Sequence, residues 1–114
     1  MPSDAIVVLT TLASEEEAAS FIRALLDRRL VACGTILPGA RSFYRWNDQV
    51  ADEREAVVLL KTSADRADEL GAMFGELHPY KVPELLALPV AAGLEAYLGW
   101  IARETASEAA PDEG

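Results

Sequence analysis

The sequence of 114 residues is short of the side chains that carry most metal and redox chemistry, because it holds one cysteine and one histidine. A single cysteine excludes a disulfide within the chain and any zinc site built on paired cysteines. Cys33 is therefore predicted to be a small, buried, apolar side chain, with a reactive thiol as the alternative. A lone cysteine also fits a reducing, cytoplasmic setting.

Basic residues are scarce as well: ten Lys and Arg stand against nineteen Asp and Glu, which gives a formal net charge of -9. Phosphate backbones repel a protein of that sign, so nucleic acid is not expected as a partner.

Long apolar runs are missing too. The run Ala5 to Leu9 is shorter than the roughly 7–15 residues of a signal-peptide core, and nothing approaches the ~20 residues of a membrane helix. We expect a soluble cytoplasmic protein without a membrane partner.

Motifs for catalysis are also absent. No glycine-rich loop precedes a helix, and no combination of serine, cysteine and histidine indicates covalent catalysis, so a non-enzymatic protein is expected. An acidic run of Asp48, Asp52, Glu53 and Glu55 lacks the spacing and the turn glycine of a calcium loop. We interpret this run as a solvated hairpin tip.

Hydrophobic residues make up 51% of the chain, which is enough for one compact domain and too little for two. We assign residues 1–103 to a single domain. Residues 104–114 combine acidic residues with alanine, proline and glycine, which predicts a disordered tail.

Periodicity predicts four extended segments and three helices. They are a strand from Ala5, a helix capped by Ser14, an extended stretch over 30–46, a strand over 55–62, a helix from Ser63 to Leu77, a strand over 85–90 and a helix over 94–101. Pro38-Gly39 is either a turn between two strands or a bend within one long strand. Pro79 and Pro83 form a stiff elbow that ends the second helix at His78.

This order, βαββαβ with an additional C-terminal helix, predicts an α+β protein of the ferredoxin-like type, in which helices cover one face of an antiparallel sheet. The first and third strands are apolar on both sides. A sheet of this kind does not leave its second face in water, so we expect partner subunits to cover that face.

Several ordered motifs resemble those of the CutA family, the divalent-cation tolerance proteins. They are Leu30-Val31-Ala32-Cys33, Pro38-Gly39, Phe43-Tyr44-Arg45-Trp46, Lys61-Thr62, His78-Pro79-Tyr80-Lys81-Val82-Pro83-Glu84, Ala87-Leu88-Pro89-Val90 and Tyr97-Leu98-Gly99-Trp100. The resemblance implies a ferredoxin-like subunit in a homotrimer, with Pro38-Gly39 inside a long bent strand and strand edges joining the subunits. It also implies a link to copper and other divalent cations, no obligatory cofactor and no catalytic activity.

Candidate ligands for copper(II) or another weakly bound divalent cation carry over from the family to His78 and Glu84. Some members have a cysteine in the first strand, where this chain has Thr10. Both residues also have a purely structural interpretation. His78 is then a hydrogen-bonded histidine at a helix end, and Glu84 accepts backbone N–H groups or pairs with Lys81 or Arg45.

An intersubunit cleft is predicted from four further residues, which are Tyr44, Trp46, Tyr80 and Lys81. Aromatic side chains at strand ends are pocket walls or interface anchors, and in a trimer the two roles coincide. The alternative function is a PII-like signalling or scaffold module that binds a small anion or a protein partner in these clefts.

Overall fold

The computed structural model describes residues 3–106, which form four strands and three helices. They are β1 (Ala5–Leu12), α1 (Glu15–Asp27), β2 (Cys33–Trp46), β3 (Gln49–Ser63), α2 (Ala67–Leu77), β4 (Leu86–Pro89) and α3 (Glu95–Glu104), with a short 3₁₀ turn, Ala64–Arg66, before α2. The strands form one antiparallel sheet in the order β2-β3-β1-β4. Two βαβ units around a central hairpin give this order, so the ferredoxin-like prediction is confirmed.

One face of the sheet carries the hydrophobic core under α1 and α2. Alternate residues of β1, such as Val8 and Leu12, are buried there against Phe21 and Leu25 of α1 and Phe74 of α2. Leu26 of α1 is 39% exposed and lies outside this core. The helices pack on this face and so determine which side chains of each strand point into the core. Because side chains alternate along a strand, the remaining ones point to the other face.

The second face of the sheet is apolar and largely open. Its side chains belong to Val7, Leu9, Leu37, Val57, Leu59, Leu86 and Leu88, which we call the uncovered face. Leu37, Leu86 and Leu88 are 50, 56 and 46% exposed. Helix α3 packs near one end of the sheet, where Ile101 joins a small cluster with Ala5. A contiguous apolar surface of this kind marks an interaction site.

A bulge bends β2 at Pro38-Gly39. Leu37 pairs with Val57 and Ala40 pairs with Glu55, so two residues of β2 stand opposite the single residue Ala56 of β3. Gly39 has φ of 73°, a left-handed conformation that glycine adopts without strain. The two segments are therefore one bent strand, as the family resemblance implies.

The hairpin joining β2 to β3 is longer than its sequence predicts. Asn47 and Asp48 both have positive φ, 52° and 63°, as a two-residue type I′ turn requires. Pairing starts directly at Trp46 and Gln49, so β3 begins six residues before the predicted Glu55. The acidic residues of this segment are strand residues with a defined face.

The start of α1 and the end of α2 lie where the sequence predicts them. Ser14 Oγ accepts the N–H of Glu17 at 3.1 Å, as predicted, and α2 ends at Leu77 before the His78 cap. Ser63, where the sequence predicts the start of α2, makes no capping bond with its hydroxyl, and α2 begins at Ala67. Ser63 Oγ lies 3.0 Å from Thr105 Oγ1 instead, and this bond ties the end of β3 to the end of α3.

The last described residues continue directly from α3, and the predicted boundary at residue 103 stays a prediction. Glu104 ends α3, and Thr105 is buried and donates a hydrogen bond to the Ile101 carbonyl. The disorder predicted for the tail falls mostly on residues 107–114, which are outside the described residues. Over residues 3–106, no helix has the length and apolarity needed to cross a membrane.

Candidate functional site

His78 is buried at the end of α2, with 6% of its surface exposed. Its ring centroid lies 5.1 Å from that of Phe21, 5.7 Å from that of Phe74 and 4.9 Å from that of Tyr80. The Pro79 backbone restriction places the ring there, because it stops the helix at His78 and turns the chain back over β1. The only histidine of the sequence is therefore part of an aromatic cluster.

Both ring nitrogens of His78 take part in hydrogen bonds. Nδ1 accepts the backbone N–H of Tyr80 at 3.2 Å, which assigns the proton to Nε2. Nε2 lies 3.0 Å from the Thr11 carbonyl oxygen and 3.2 Å from Thr10 Oγ1, so its N–H faces two acceptors. A neutral imidazole satisfies this arrangement completely, and neither nitrogen has a spare lone pair.

Burial lowers the pKa of His78 below the 6.5 that is ordinary for histidine, and hydrogen bonding to Thr11 only partly opposes this effect. The folded state therefore resists protonation, whereas the unfolded chain binds a proton below about pH 6.5. We expect the contribution of His78 to the free energy of unfolding to be fully present above about pH 6.5. This contribution should decrease as the pH falls from 6.5 toward the pKa of His78 in the folded state. Urea unfolding at stepped pH measures this loss.

Nuclear magnetic resonance isolates the same titration, because the chain has one histidine and hence one imidazole signal. Its midpoint is expected below 6.5 in the folded protein and near 6.5 in urea. Carboxylates also titrate under acid conditions, so the unfolding curve of His78→Gln serves as the control and should show a shallower pH dependence. A folded-state midpoint at or above 6.5 would contradict the neutral, buried imidazole.

Tyr80 connects His78 to an open groove beside the β2–β3 hairpin. Its backbone is held by His78, and its hydroxyl donates to Glu55 Oε2 at 2.7 Å. Burial and the Glu55 carboxylate raise the pKa of the Tyr80 hydroxyl well above its ordinary value, so the proton stays on the oxygen. This chain of bonds fixes one wall of the groove.

The groove has a volume of about 690 Å³, and we call it the hairpin groove. The predicted cleft residues Tyr44, Trp46, Tyr80 and Lys81 all line it, together with Glu53, Glu55 and Glu84. Tyr44 and Trp46 come together because alternate residues of β2 share one side of the sheet. The four predicted residues therefore line one groove of the single chain, and their place between subunits stays a prediction.

Glu53 and Glu55 are groove residues that the sequence interpretation missed. Their assignment to a solvated hairpin tip is wrong for Glu55, which is 7% exposed and bonded to Tyr80. Their alternation with Val57 along β3 could have placed them on one face, had the strand been extended to Gln49. Asp52 lies on the other side, where it pairs with Arg41 at 2.9 Å.

The two predicted metal ligands occupy different places. Glu84 is half-buried and lines the hairpin groove, and within residues 3–106 its carboxylate forms neither the predicted ion pairs nor a hydrogen bond. His78 lies behind Tyr80 with both nitrogens occupied. Across the described part of the chain, no three His, Cys, Asp or Glu side chains are close enough to hold a metal ion.

Comparison with known proteins settles the family. The profile of the CutA1 divalent ion tolerance protein family matches residues 6–104, nearly all of the described chain. This chain belongs to the CutA1 family. The divalent-cation tolerance protein CutA of Thermus thermophilus is 43% identical over 99 residues, covering 87% of this chain and 96% of that protein.

Solved CutA structures share the fold. The Thermus thermophilus protein aligns with a TM-score of 0.86 and 42% identity over 90% of this chain and 99% of its own. CutA of Xylella fastidiosa aligns with a TM-score of 0.88 and 38% identity over 91% of this chain and 100% of its own. The CutA protein of Archaeoglobus fulgidus, which is described as periplasmic, aligns with a TM-score of 0.86 and 28% identity over 90% of this chain and 99% of its own.

Thr10 lies beside His78, and Cys33 lies elsewhere on the sheet. Thr10, in the position where the resemblance gives some members a cysteine, is fully buried and offers His78 a hydroxyl in place of a thiolate. Cys33 is half-buried and pairs across the sheet with Lys61, whose ammonium lies 3.2 Å from the Tyr97 hydroxyl. Both roles predicted for Cys33 stay predictions.

Proposed function

We propose that this chain acts as a non-enzymatic, homotrimeric divalent-cation tolerance protein of the cytoplasm. Membership of the CutA1 family supplies the coarse function, divalent ion tolerance. The observation that carries the proposed assembly is the uncovered face, an apolar sheet surface that a second copy of the same chain can bury. A binding role is supported further by His78, whose two ring nitrogens are committed to the fold and not offered to a substrate.

Assembly through the sheet accounts for the apolar pattern better than a monomer does. Leu9 pairs with Leu59 on one side and Leu86 on the other, so leucines meet in the middle of the uncovered face. Each buried Å² of such surface contributes roughly 25 cal/mol, which makes exposure of the whole face costly. Trimers also bring the hairpin groove of one chain next to another chain, as the cleft prediction requires.

A single chain does not fit a metal centre by itself. Three ligands do not converge within residues 3–106, and His78 could bind copper through Nδ1 only by releasing the Tyr80 N–H. We therefore propose weak binding of copper(II) or another divalent cation at subunit junctions, where ligands from neighbouring chains add to Glu84. Copper(II) is favoured because it binds nitrogen and oxygen ligands most tightly in the divalent series.

Isothermal titration of copper(II) into Glu84→Gln tests the metal proposal. We expect binding about tenfold weaker or more than in the wild-type protein, because the variant loses a charged ligand. Glu76→Gln, which removes an exposed carboxylate from α2, is the charge-matched control and should leave the isotherm unchanged. Identical isotherms for Glu84→Gln and wild type would remove Glu84 from any metal role.

Cell fractionation tests the proposed cytoplasmic location, which is supported by the presence of a single cysteine. The Archaeoglobus relative shows that a periplasmic description exists among similar proteins. Recovery of the chain with periplasmic markers would contradict the cytoplasmic proposal.

A further inference from the structure

We propose that the acidic residues 107–114 of one copy of the chain dock on the outer side of the β2–β3 hairpin of another copy. The outer side faces away from the uncovered face and the hairpin groove, and it carries Arg41, Phe43, Arg45, Val50, Asp52 and Arg54. The inference rests on the proposed assembly of several copies and requires no metal.

The outer side of the hairpin is positively charged on a protein that is acidic as a whole. Arg41, Arg45 and Arg54 stand there against Asp52, so three positive charges and one negative charge give +2, whereas the whole chain has -9. All the side chains of the outer side are exposed within residues 3–106, and no helix covers them. A positive surface of this kind attracts acidic segments.

The ion pairs on the outer side are incomplete. Asp52 accepts two hydrogen bonds of 2.9 Å from Arg41, and the Arg41 guanidinium also lies 4.9 Å from the centre of the Phe43 ring. Arg54 stands directly opposite Arg41 in the sheet, where like charges repel each other. Within residues 3–106, neither Arg45 nor Arg54 forms an ion pair. Two of the three arginines can therefore bind carboxylates of another segment.

The charges of the outer side are separated by an apolar centre. Arg41 and Arg45 lie four residues apart on the same side of β2, a distance of about 13 Å in a strand. Phe43 lies between them and is 61% exposed, and Val50, the partner of Arg45, is 64% exposed. A complementary segment has two carboxylates about 13 Å apart with a small apolar residue between them.

The sequence of residues 107–114 has this pattern. Glu108 and Asp112 are four residues apart, and Ala110 stands midway between them. Pro111 favours extended backbone at the residue before it, and alternate residues of an extended segment share one side. One carboxylate can then meet the Arg54 end of the outer side and the other the Arg45 end, while Ala110 covers the apolar centre.

The docked segment belongs to another copy, because a chain's own segment is too short. Thr105 Oγ1 lies 3.0 Å from Ser63 Oγ, at the end of β3 that is remote from the hairpin. Val50 is thirteen residues from Ser63 along β3, which is about 43 Å in a strand. Asp112 is seven residues beyond Thr105 and reaches about 25 Å when fully extended. A chain's own Asp112 therefore cannot reach Arg45.

Peptide titration followed by nuclear magnetic resonance tests the proposal. The peptide has the sequence of residues 105–114, and the protein is the full chain with Glu108→Gln, Asp112→Asn and Glu113→Gln, whose own segment is neutral. We expect a saturable shift of the amide signals of residues 41–45 and 50–54. The wild-type protein should bind the peptide about tenfold more weakly, because the segment of a neighbouring copy competes at a millimolar effective concentration.

Two pairs of substitutions in the neutral-segment protein locate the binding. Arg45→Gln with Arg54→Gln should weaken peptide binding about tenfold, through the loss of two exposed ion pairs. Arg23→Gln with Arg28→Gln, which removes the same charge from exposed positions in and just after α1, should leave binding unchanged. A peptide of the same composition with its three carboxylates adjacent should bind about threefold more weakly, because only one end of the outer side is then reached.

The proposal is overturned if the wild-type and neutral-segment proteins bind the peptide equally, since the outer side would then be open to an acidic segment of another protein. It is also overturned if the hairpin signals do not shift, if the two pairs of substitutions have the same effect, or if the rearranged peptide binds as well. Light scattering keeps failure of the proposed trimer separate, because it reports the mass of the assembly without the peptide.

Discussion

Replacing His78 with alanine is expected to destabilise the folded protein by about 3 kcal/mol, the cost of removing a buried ring together with its hydrogen bonds. The substitution leaves a cavity between Phe21, Phe74 and Tyr80. It also leaves the Thr11 carbonyl and the Tyr80 N–H without the partners they now have. The midpoint of thermal unfolding should fall by about 10 °C.

Urea unfolding at one fixed protein concentration measures this effect, because subunit association would otherwise shift the midpoint. Lys81→Ala, an exposed residue of the same elbow, is the control and should change the free energy of unfolding by less than about 0.5 kcal/mol. A His78→Ala protein as stable as Lys81→Ala would contradict the structural role of the imidazole. It would reopen the possibility that His78 serves a ligand.

Replacing Leu9 with glutamate is expected to dissociate the proposed trimer. Leu9 lies between Leu59 and Leu86 in the middle of the uncovered face, and a carboxylate buried there between subunits would lose its hydration without a partner. Light scattering should report about three times the 12.3 kDa chain mass for the wild type and the single-chain mass for Leu9→Glu.

Leu26→Glu is the matched control for this experiment. Leu26 is a 39% exposed leucine on α1, on a different surface of the molecule, so the same substitution should leave the mass unchanged. Circular dichroism should show that Leu9→Glu retains its secondary structure. A wild-type protein that already has the single-chain mass would contradict the trimer, and so would an unchanged mass for Leu9→Glu.

The fold could be predicted because its determinants are local. The apolar run of β1, the Ser14 cap and the prolines around His78 each act within a few residues, and the structure contains all of them in the predicted places. Ser63 shows the limit of this reasoning. Its residue type suits a cap, but its hydroxyl bonds to Thr105, which is far away in sequence.

The groove could be predicted only in part, for the same reason. Tyr44 and Trp46 alternate within one strand, so their shared side is visible in the sequence. Glu55 bonds to Tyr80 across 25 residues, and no local pattern distinguishes a buried carboxylate from the solvated acids around it. The hydrogen bonding of the His78 ring could not be predicted either, because its acceptors Thr10 and Thr11 lie in β1, far from His78 in the sequence.

The bulge at Pro38-Gly39 determines the chemistry of a groove that lies several residues away from it. It absorbs one residue of β2, so that Ser42, Tyr44 and Trp46 stand on the side of Glu53 and Glu55. Regular pairing of the same sequence would turn Arg41 and Arg45 to that side and bring two guanidinium groups against the carboxylates. One step of register, made possible by the left-handed backbone of Gly39, thus decides which side chains of β2 face Glu53 and Glu55.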